Sequence, residues 1–193
     1  MARPQSFDRP TVLSKALQVF WQKGYDSASI QDLVDATGLN RGSLYNSFGD
    51  KEELFAEVMA LYRSQSSVGI LANAPLDANV RSLFNSFFQA LVERAQNDLD
   101  HKGCLITNTA AGFYGCSDRM TDWVCDSVEG METLFVKLIE RGQTAGDVAS
   151  SSSPLKLARF MMASAHGLNV MASLGTDPSA LEDIANQALQ ALD

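Results

Sequence analysis

Two short helical segments, joined by a tight turn at Gly38 and preceded by a longer one, constrain this chain more than any other feature. From Thr11 the apolar positions Leu13, Ala16, Leu17 and Phe20 recur at helical intervals until Gly24, a residue well suited to ending a helix. Ile30, Leu33 and Val34 form the apolar face of the next segment, which Gly38 closes. The run Ser29-Ile30-Gln31-Asp32 resembles a capping box in which Asp32 replaces the usual Glu or Gln. Asn40 is the expected N-cap of a third helix running to Phe48, with Leu44 and Phe48 turned toward the core beside Leu39. Asp50 caps a fourth, where Leu54, Phe55, Val58, Leu61 and Tyr62 again keep helical spacing. This is a helix-turn-helix layout. Ahead of it, Ala2 to Arg9, with prolines at 4 and 10, reads as an extended arm.

Residues 64–75 are poor in charge and hold Gly69 and Pro75, so the N-terminal module should end near there. Five further helices are expected over about 77–96, 104–114, 118–145, 154–174 and 178–192. Gly103, Gly115 with Ser117, the serines of 150–153 and Gly175-Thr176-Asp177 punctuate them. No strand pattern and no internal repeat appears. The expected fold is all-α with about nine helices. We divide it into a helix-turn-helix domain with its arm at residues 1–50 and a helical-bundle domain at 51–193.

Charge is unevenly placed along the 193 residues. Through Lys51 there are six basic residues against five acidic ones, a net of +1; the remainder carries nine against eighteen, a net of −9. A near-neutral head on an acidic body suits a binder of a specific nucleic-acid site better than a general polyanion binder. No apolar run reaches the roughly 18 residues that span a bilayer, and the first residues lack a signal peptide's apolar stretch. A cytoplasmic protein without membrane attachment is expected. Three widely spaced cysteines, Cys104, Cys116 and Cys125, without a CxxC pair, and only two histidines argue against a disulfide framework or a metal site. No Ser-His-Asp order, paired-carboxylate signature or phosphate-cradling glycine loop is present. We expect neither an enzyme nor a cofactor.

In a helix-turn-helix the second short helix enters the major groove and its N-terminal residues reach base edges. Here Arg41, Gly42, Ser43, Tyr45 and Asn46 face outward; Arg can read guanine bidentately, Asn can read adenine, and Gly42 lets the helix approach closely. Ser29 at a helix N-terminus, the Tyr45 hydroxyl and the Lys51 ammonium suit phosphate contacts, which fix register without reading sequence. Arg3 either enters the minor groove, as basic arms do, or belongs to a disordered tail.

The spaced set Ala16-Leu17, Phe20, Gly24-Tyr25, Ser29-Ile30, Leu33, Gly38-Leu39, Gly42-Ser43-Leu44-Tyr45, Phe48 and Gly49 to Phe55 resembles the N-terminal signature of TetR-family repressors. It covers about a quarter of the chain. The resemblance implies base recognition by Asn40, Arg41, Gly42, Ser43 and Asn46, and backbone anchoring by Ser29, Tyr45 and Lys51. It departs from that family at Tyr45-Asn46-Ser47-Phe48, where a Tyr-His-Phe-like run is common. Lys102 to Asn108, Ala158-Arg159-Phe160 and Gly167-Leu168, together with the Arg3-Pro4 to Phe7-Asp8 arm, resemble one branch, in which the sixth helix opens on a Gly-Cys-Leu segment. That branch implies a homodimer built from the helices at about 154–174 and 178–192. The family also implies operator DNA and a small-molecule effector as partners, and residues 51–193 as the effector-binding and dimerisation domain.

For the effector, Phe84, Phe88, Phe113, Trp123 and Met162 are candidate apolar walls, and Asn108 and His166 candidate polar anchors. His166 also reads as a hydrogen-bonded core or interface residue. Cys104 stands at a predicted helix N-terminus beside Lys102 and near His101, both features that favour a thiolate. It is the candidate sensor if the trigger is an electrophile or oxidant; packing of that helix end is the other reading.

Overall fold

A computed structural model describes residues 7–112, 118–149 and 151–193. They form ten helices with no strand among the described residues: α1 (Arg9–Ser27), α2 (Ile30–Thr37), α3 (Arg41–Phe48), α4 (Lys51–Ser64), α5 (Val68–Ala72), α6 (Val80–Asn97), α7 (Leu105–Ala111), α8 (Asp118–Ala145), α9 (Pro154–Ser173) and α10 (Pro178–Gln190). The chain divides into two compact units, Met1–Gln65 and Ser66–Asp193. The first unit takes in the whole of α4, which packs along α1 and against α3, and it ends within the charge-poor stretch at residues 64–75. On α4, Leu54, Phe55, Val58, Met59 and Tyr62 are buried.

In the first unit every helix start is set by a local cap. Asp8 accepts from the Thr11 N–H at 3.1 Å and Pro10 lies in the first turn, so α1 begins at Arg9. Residues we read as the end of an extended arm therefore open a helix, and Pro10 favours that start because the missing N–H has no partner there anyway. Gly24, at φ 75 and ψ 166, breaks α1 before its last turn. Ser29 and Asp32 form the reciprocal capping box of α2, and Asp50 and Glu53 that of α4. Asn40 caps α3, its Oδ1 accepting the Ser43 N–H at 2.8 Å. Gly38, at φ 76 and ψ 6, takes the left-handed conformation that ends α2. Helices of eight residues are marginal in isolation; α2 and α3 hold by burying Leu33, Leu44 and Phe48. Behind them Phe20, Tyr25 and Phe55 pack ring to ring, with Trp21 edge-on to Tyr62.

The second unit packs α6, α8, α9 and α10 around Phe84, Phe87, Phe88, Phe135, Ile139, Met161 and Leu168. The helix beyond the nine expected, α5, lies in the stretch read as a boundary; Leu71 buries against the core there. α6 starts at Val80 because Asn79 caps Ser82 and the Asp147 carboxylate accepts from both the Asn79 amide and the Val80 N–H. Among the described residues no helix is long and apolar enough to cross a membrane.

Candidate nucleic-acid interface

The site is built on α3. Leu44 and Phe48 are buried against the rest of the first unit, whereas Arg41, Gly42, Tyr45 and Asn46 are exposed. The helical period produces this split, since residues four apart share a face. Ser43 is partly exposed, and Asn40 is exposed with its Oδ1 spent on the cap. The Arg41 guanidinium carbon sits 5.6 Å from the centre of the Tyr45 ring, so the two form one amphipathic pair at the front of the helix.

The anchoring candidates are more engaged than their residue types suggest. The Ser29 hydroxyl donates to Asp32 at 2.8 Å and also accepts the Asp32 N–H. The N-terminus of α2 thus carries its own carboxylate. The Lys23 ammonium 2.5 Å away, with the Ser29 N–H and hydroxyl, holds the Asp32 carboxyl well below the usual carboxylate range. Lys51 lies over the Tyr25 ring, its Nζ 4.5 Å from the centroid and 3.5 Å from the Asp26 carbonyl. Burial pushes its ammonium pKa down, and the nearby Asp26 pulls it back up. A phosphate reaching Ser29 or Lys51 would compete with these internal partners. Arg3 lies outside the described residues.

Arg9 bears on the site although no sequence pattern marks it. Arg9 donates to the Ser47 carbonyl at 2.8 Å and to Glu57 Oε1 at 2.5 Å, and its guanidinium carbon lies 4.2 Å from the Phe48 ring centre. Phe7 packs on the same ring, the two centroids 6.1 Å apart. These contacts span 38 and 48 residues, and no local pattern announces them.

The effector candidates scatter within the second unit. Phe84, Phe88 and Met162 belong to its packed core, with Phe84 edge-on to Phe135. Trp123 is half-buried on α8, and Phe113 lies outside the described residues. Asn108 is exposed and donates to the Lys102 carbonyl, so it braces the loop before α7. His166 Nδ1 lies 2.9 Å from the hydroxyl of the buried Thr107, joining α9 to α7, and burial pushes its pKa down. Next to it on α9, Asn169 accepts from Arg94 of α6 at 2.5 Å. Clefts open on this unit among its described residues. One, of about 360 Å³, lies at Ser151–Ser153, Lys156 and Phe160; another, of about 390 Å³, runs between α6 and α10 over Phe88, Val92 and Leu189. Cys104 is the N-cap of α7 but makes no side-chain cap bond; it is only 8% exposed, and Lys102 pairs with Asp100 at 3.3 Å. Cys125 is exposed on α8, and Cys116 lies outside the described residues.

A short two-helix unit with a polar front, carried on α1 and α4, and a separate all-helical unit define a helix-turn-helix DNA-binding protein with an appended helical domain. Residues 12–58 match the family model described as bacterial regulatory proteins of the tetR family. Residues 81–188 match the tetracyclin repressor-like C-terminal domain. The chain belongs to the TetR family of transcriptional regulators, which act by binding DNA and are not enzymes. It is 30% identical over 189 residues to the transcriptional repressor DhaR of Mycobacterium sp. (strain GP1), covering 95% of this chain and 91% of that one. To the repressor ComR of Escherichia coli (strain K12) it is 27% identical, covering 97% and 90%. Among solved structures, a cysteine mutant of the TetR-family regulator CifR, complexed with 26-bp double-strand operator DNA, superposes with a TM-score of 0.88. That pair is 31% identical over the whole of both chains.

Proposed function

We propose that the protein is a ligand-responsive repressor that grips a pseudo-palindromic operator as a homodimer, with α3 of each protomer in the major groove. The observation that carries this reading is the division of α3 into a buried Leu44–Phe48 face and an exposed Arg41, Gly42, Tyr45 and Asn46 face. Gly42 adds to it. A Cβ built there meets only Asn40 Oδ1, at an ordinary 3.5 Å, so the protein's own packing does not demand a glycine. The bare backbone at this exposed position leaves room for a partner to come close to α3. The CifR relative with operator DNA supports the same role for this head.

The second protomer is assigned to α9. Phe160, Ala163, Gly167, Val170, Met171 and Leu174 recur along one exposed face of that helix, while Leu157, Met161, Ala165 and Leu168 fill the core on the other. With α10 this gives the four-helix interface that a two-fold dimer needs. An effector that binds better to the protomer arrangement unable to span two half-sites shifts the population and releases DNA.

The experiment is a selection of random duplexes, followed by fluorescence anisotropy on the recovered site. A pseudo-palindrome with half-sites about one helical turn apart is expected; recovery of no sequence above background would overturn the reading. Arg41→Ala should leave thermal stability unchanged, because the side chain is exposed. It should cost about 1–3 kcal/mol of discrimination at one base pair per half-site. A uniform loss across all sequences, with a shallower salt dependence, would instead make Arg41 a phosphate contact.

A covalent trigger through Cys104 is the alternative reading. The burial of Cys104 and the pairing of Lys102 with Asp100 favour non-covalent uptake. Cys104→Ser is therefore expected to keep the full effector response in the anisotropy assay. Loss of the response in a variant with intact DNA affinity would transfer the trigger to the thiol.

A further inference from the structure

Resting on the reading of α3 as the DNA-contacting helix, we infer that Arg9 is a positioning residue that sets the roll of α3 on its support. It thereby governs how well the exposed side chains of α3 match an operator. The guanidinium of Arg9 touches three elements at once. It stands at the first residue of α1, donates to the Ser47 carbonyl in the last turn of α3, and pairs with Glu57 in the middle of α4. It also lies over the ring of Phe48, one of the two buried anchors of α3.

The geometry gives this contact leverage. Leu44 and Phe48 are a single i, i+4 pair, so they define a line about which an eight-residue helix can rotate. Ser47 lies off that line, and its carbonyl is among the last four of the helix, which have no partner within it. A hydrogen bond from a fixed fork on α1 stops the rotation. The rigid planar donor set of arginine suits this task because one side chain can serve the carbonyl, the carboxylate and the ring together. Glu57 sits 2.5 Å from Arg9 and balances its charge at a part-exposed position, so Arg9 already has a carboxylate partner and a phosphate would have to compete with it.

The test uses the full chain carrying Arg9→Met or Arg9→Lys. Affinity for the selected operator and for a scrambled duplex is measured over a range of salt, with amide hydrogen exchange followed in the DNA-free protein. Arg9→Met is expected to lose about tenfold in operator affinity, the contribution of one charge-assisted hydrogen bond. Scrambled-duplex affinity and the salt slope stay as they were, and residues 41–48 exchange faster while α1 and α4 keep their protection. Arg9→Lys retains the pairing with Glu57 but not the fork, so it folds normally and shares most of the operator loss. A merely structural role would lower the melting temperature and leave the operator-to-scrambled ratio of the folded protein untouched, which overturns the inference. So would an equal loss on both duplexes with a slope reduced by about one, the signature of a phosphate contact. A wild-type protein that binds both duplexes alike would sink the reading of α3, whereas unchanged exchange at residues 41–48 in Arg9→Met sinks this inference alone.

Discussion

Gly167→Glu is expected to give a folded monomer whose affinity for a two-half-site operator has fallen by about 10²–10⁴-fold. Gly167 is exposed on α9 and, beyond its own helix backbone, nothing lies within 4 Å of a Cβ built on it, so the protomer accepts a side chain there without strain. Glutamate is also the better helix former, by roughly 0.5–1 kcal/mol. Folding should therefore survive. What suffers is the outer face of the helix, where Phe160 is 47% and Leu174 is 73% exposed and Val170 and Met171 are also open to solvent. A helix apolar on both faces belongs in an interior, and a second protomer, as proposed, would cover this one. Ala163 and Gly167 sit at the centre of that face, the small residues that let a second helix come close. A carboxylate at that centre would be buried without a partner on association, and separation of the protomers avoids that penalty. Two joined heads turn the second half-site into an intramolecular event at roughly millimolar effective concentration. A single head loses this. Sedimentation gives the oligomeric state and anisotropy gives the affinity. A dimer with undiminished affinity would remove α9 from the interface, and a tightly binding monomer would remove the dimer from the mechanism.

The parts of this structure that were legible in advance are those whose partners lie within a turn. Ser29 with Asp32, Asn40 with Ser43 and Asp50 with Glu53 are three residues apart, so composition and spacing alone identify them as caps. The exposed front of α3 follows from the same local periodicity, anchored by Leu44 and Phe48. Contacts between distant segments left no such trace. Asp147 fixes the start of α6 from 67 residues away, and Arg9 reaches Ser47 and Glu57 across most of the first unit. Lys51 illustrates a different gap. A lysine at the foot of a helix reads as a phosphate ligand, but only the fold shows that Tyr25 and the Asp26 carbonyl already hold it. The effector wall was beyond reach for a third reason. Phe84, Phe88 and Met162 have the same apolar chemistry whether they fill a core or line a cavity, and helical period cannot separate the two uses.

The largest loss of stability from a single methyl group is expected at Gly49→Ala, about 2–4 kcal/mol, seen as a fall of order 10 °C in the unfolding of the first unit. Two effects combine there. Gly49 links α3 to α4 at φ 74 and ψ −139, a region that only glycine occupies without strain, worth about 1–3 kcal/mol. A Cβ would also lie 1.7 Å from Glu53 Oε2, the oxygen that accepts the Asp50 N–H at 3.0 Å, so the capping box of α4 must open, at about 1 kcal/mol. The backbone effect should dominate, because a glutamate side chain can swing aside whereas the turn between α3 and α4 cannot change its dihedrals without displacing Phe48 or Leu54 from the core. Gly49→Ala combined with Glu53→Ala should therefore recover little of the lost stability. Asparagine separates this turn from the one at Gly38. That residue sits at ψ 6 in the left-handed helical region, where asparagine is tolerated. Gly38→Asn should cost less than about 1 kcal/mol, while Gly49→Asn should cost as much as the alanine. Equal and small losses at both positions would mean that the turn ahead of α4 has room to relax, and the strain argument would fail with it.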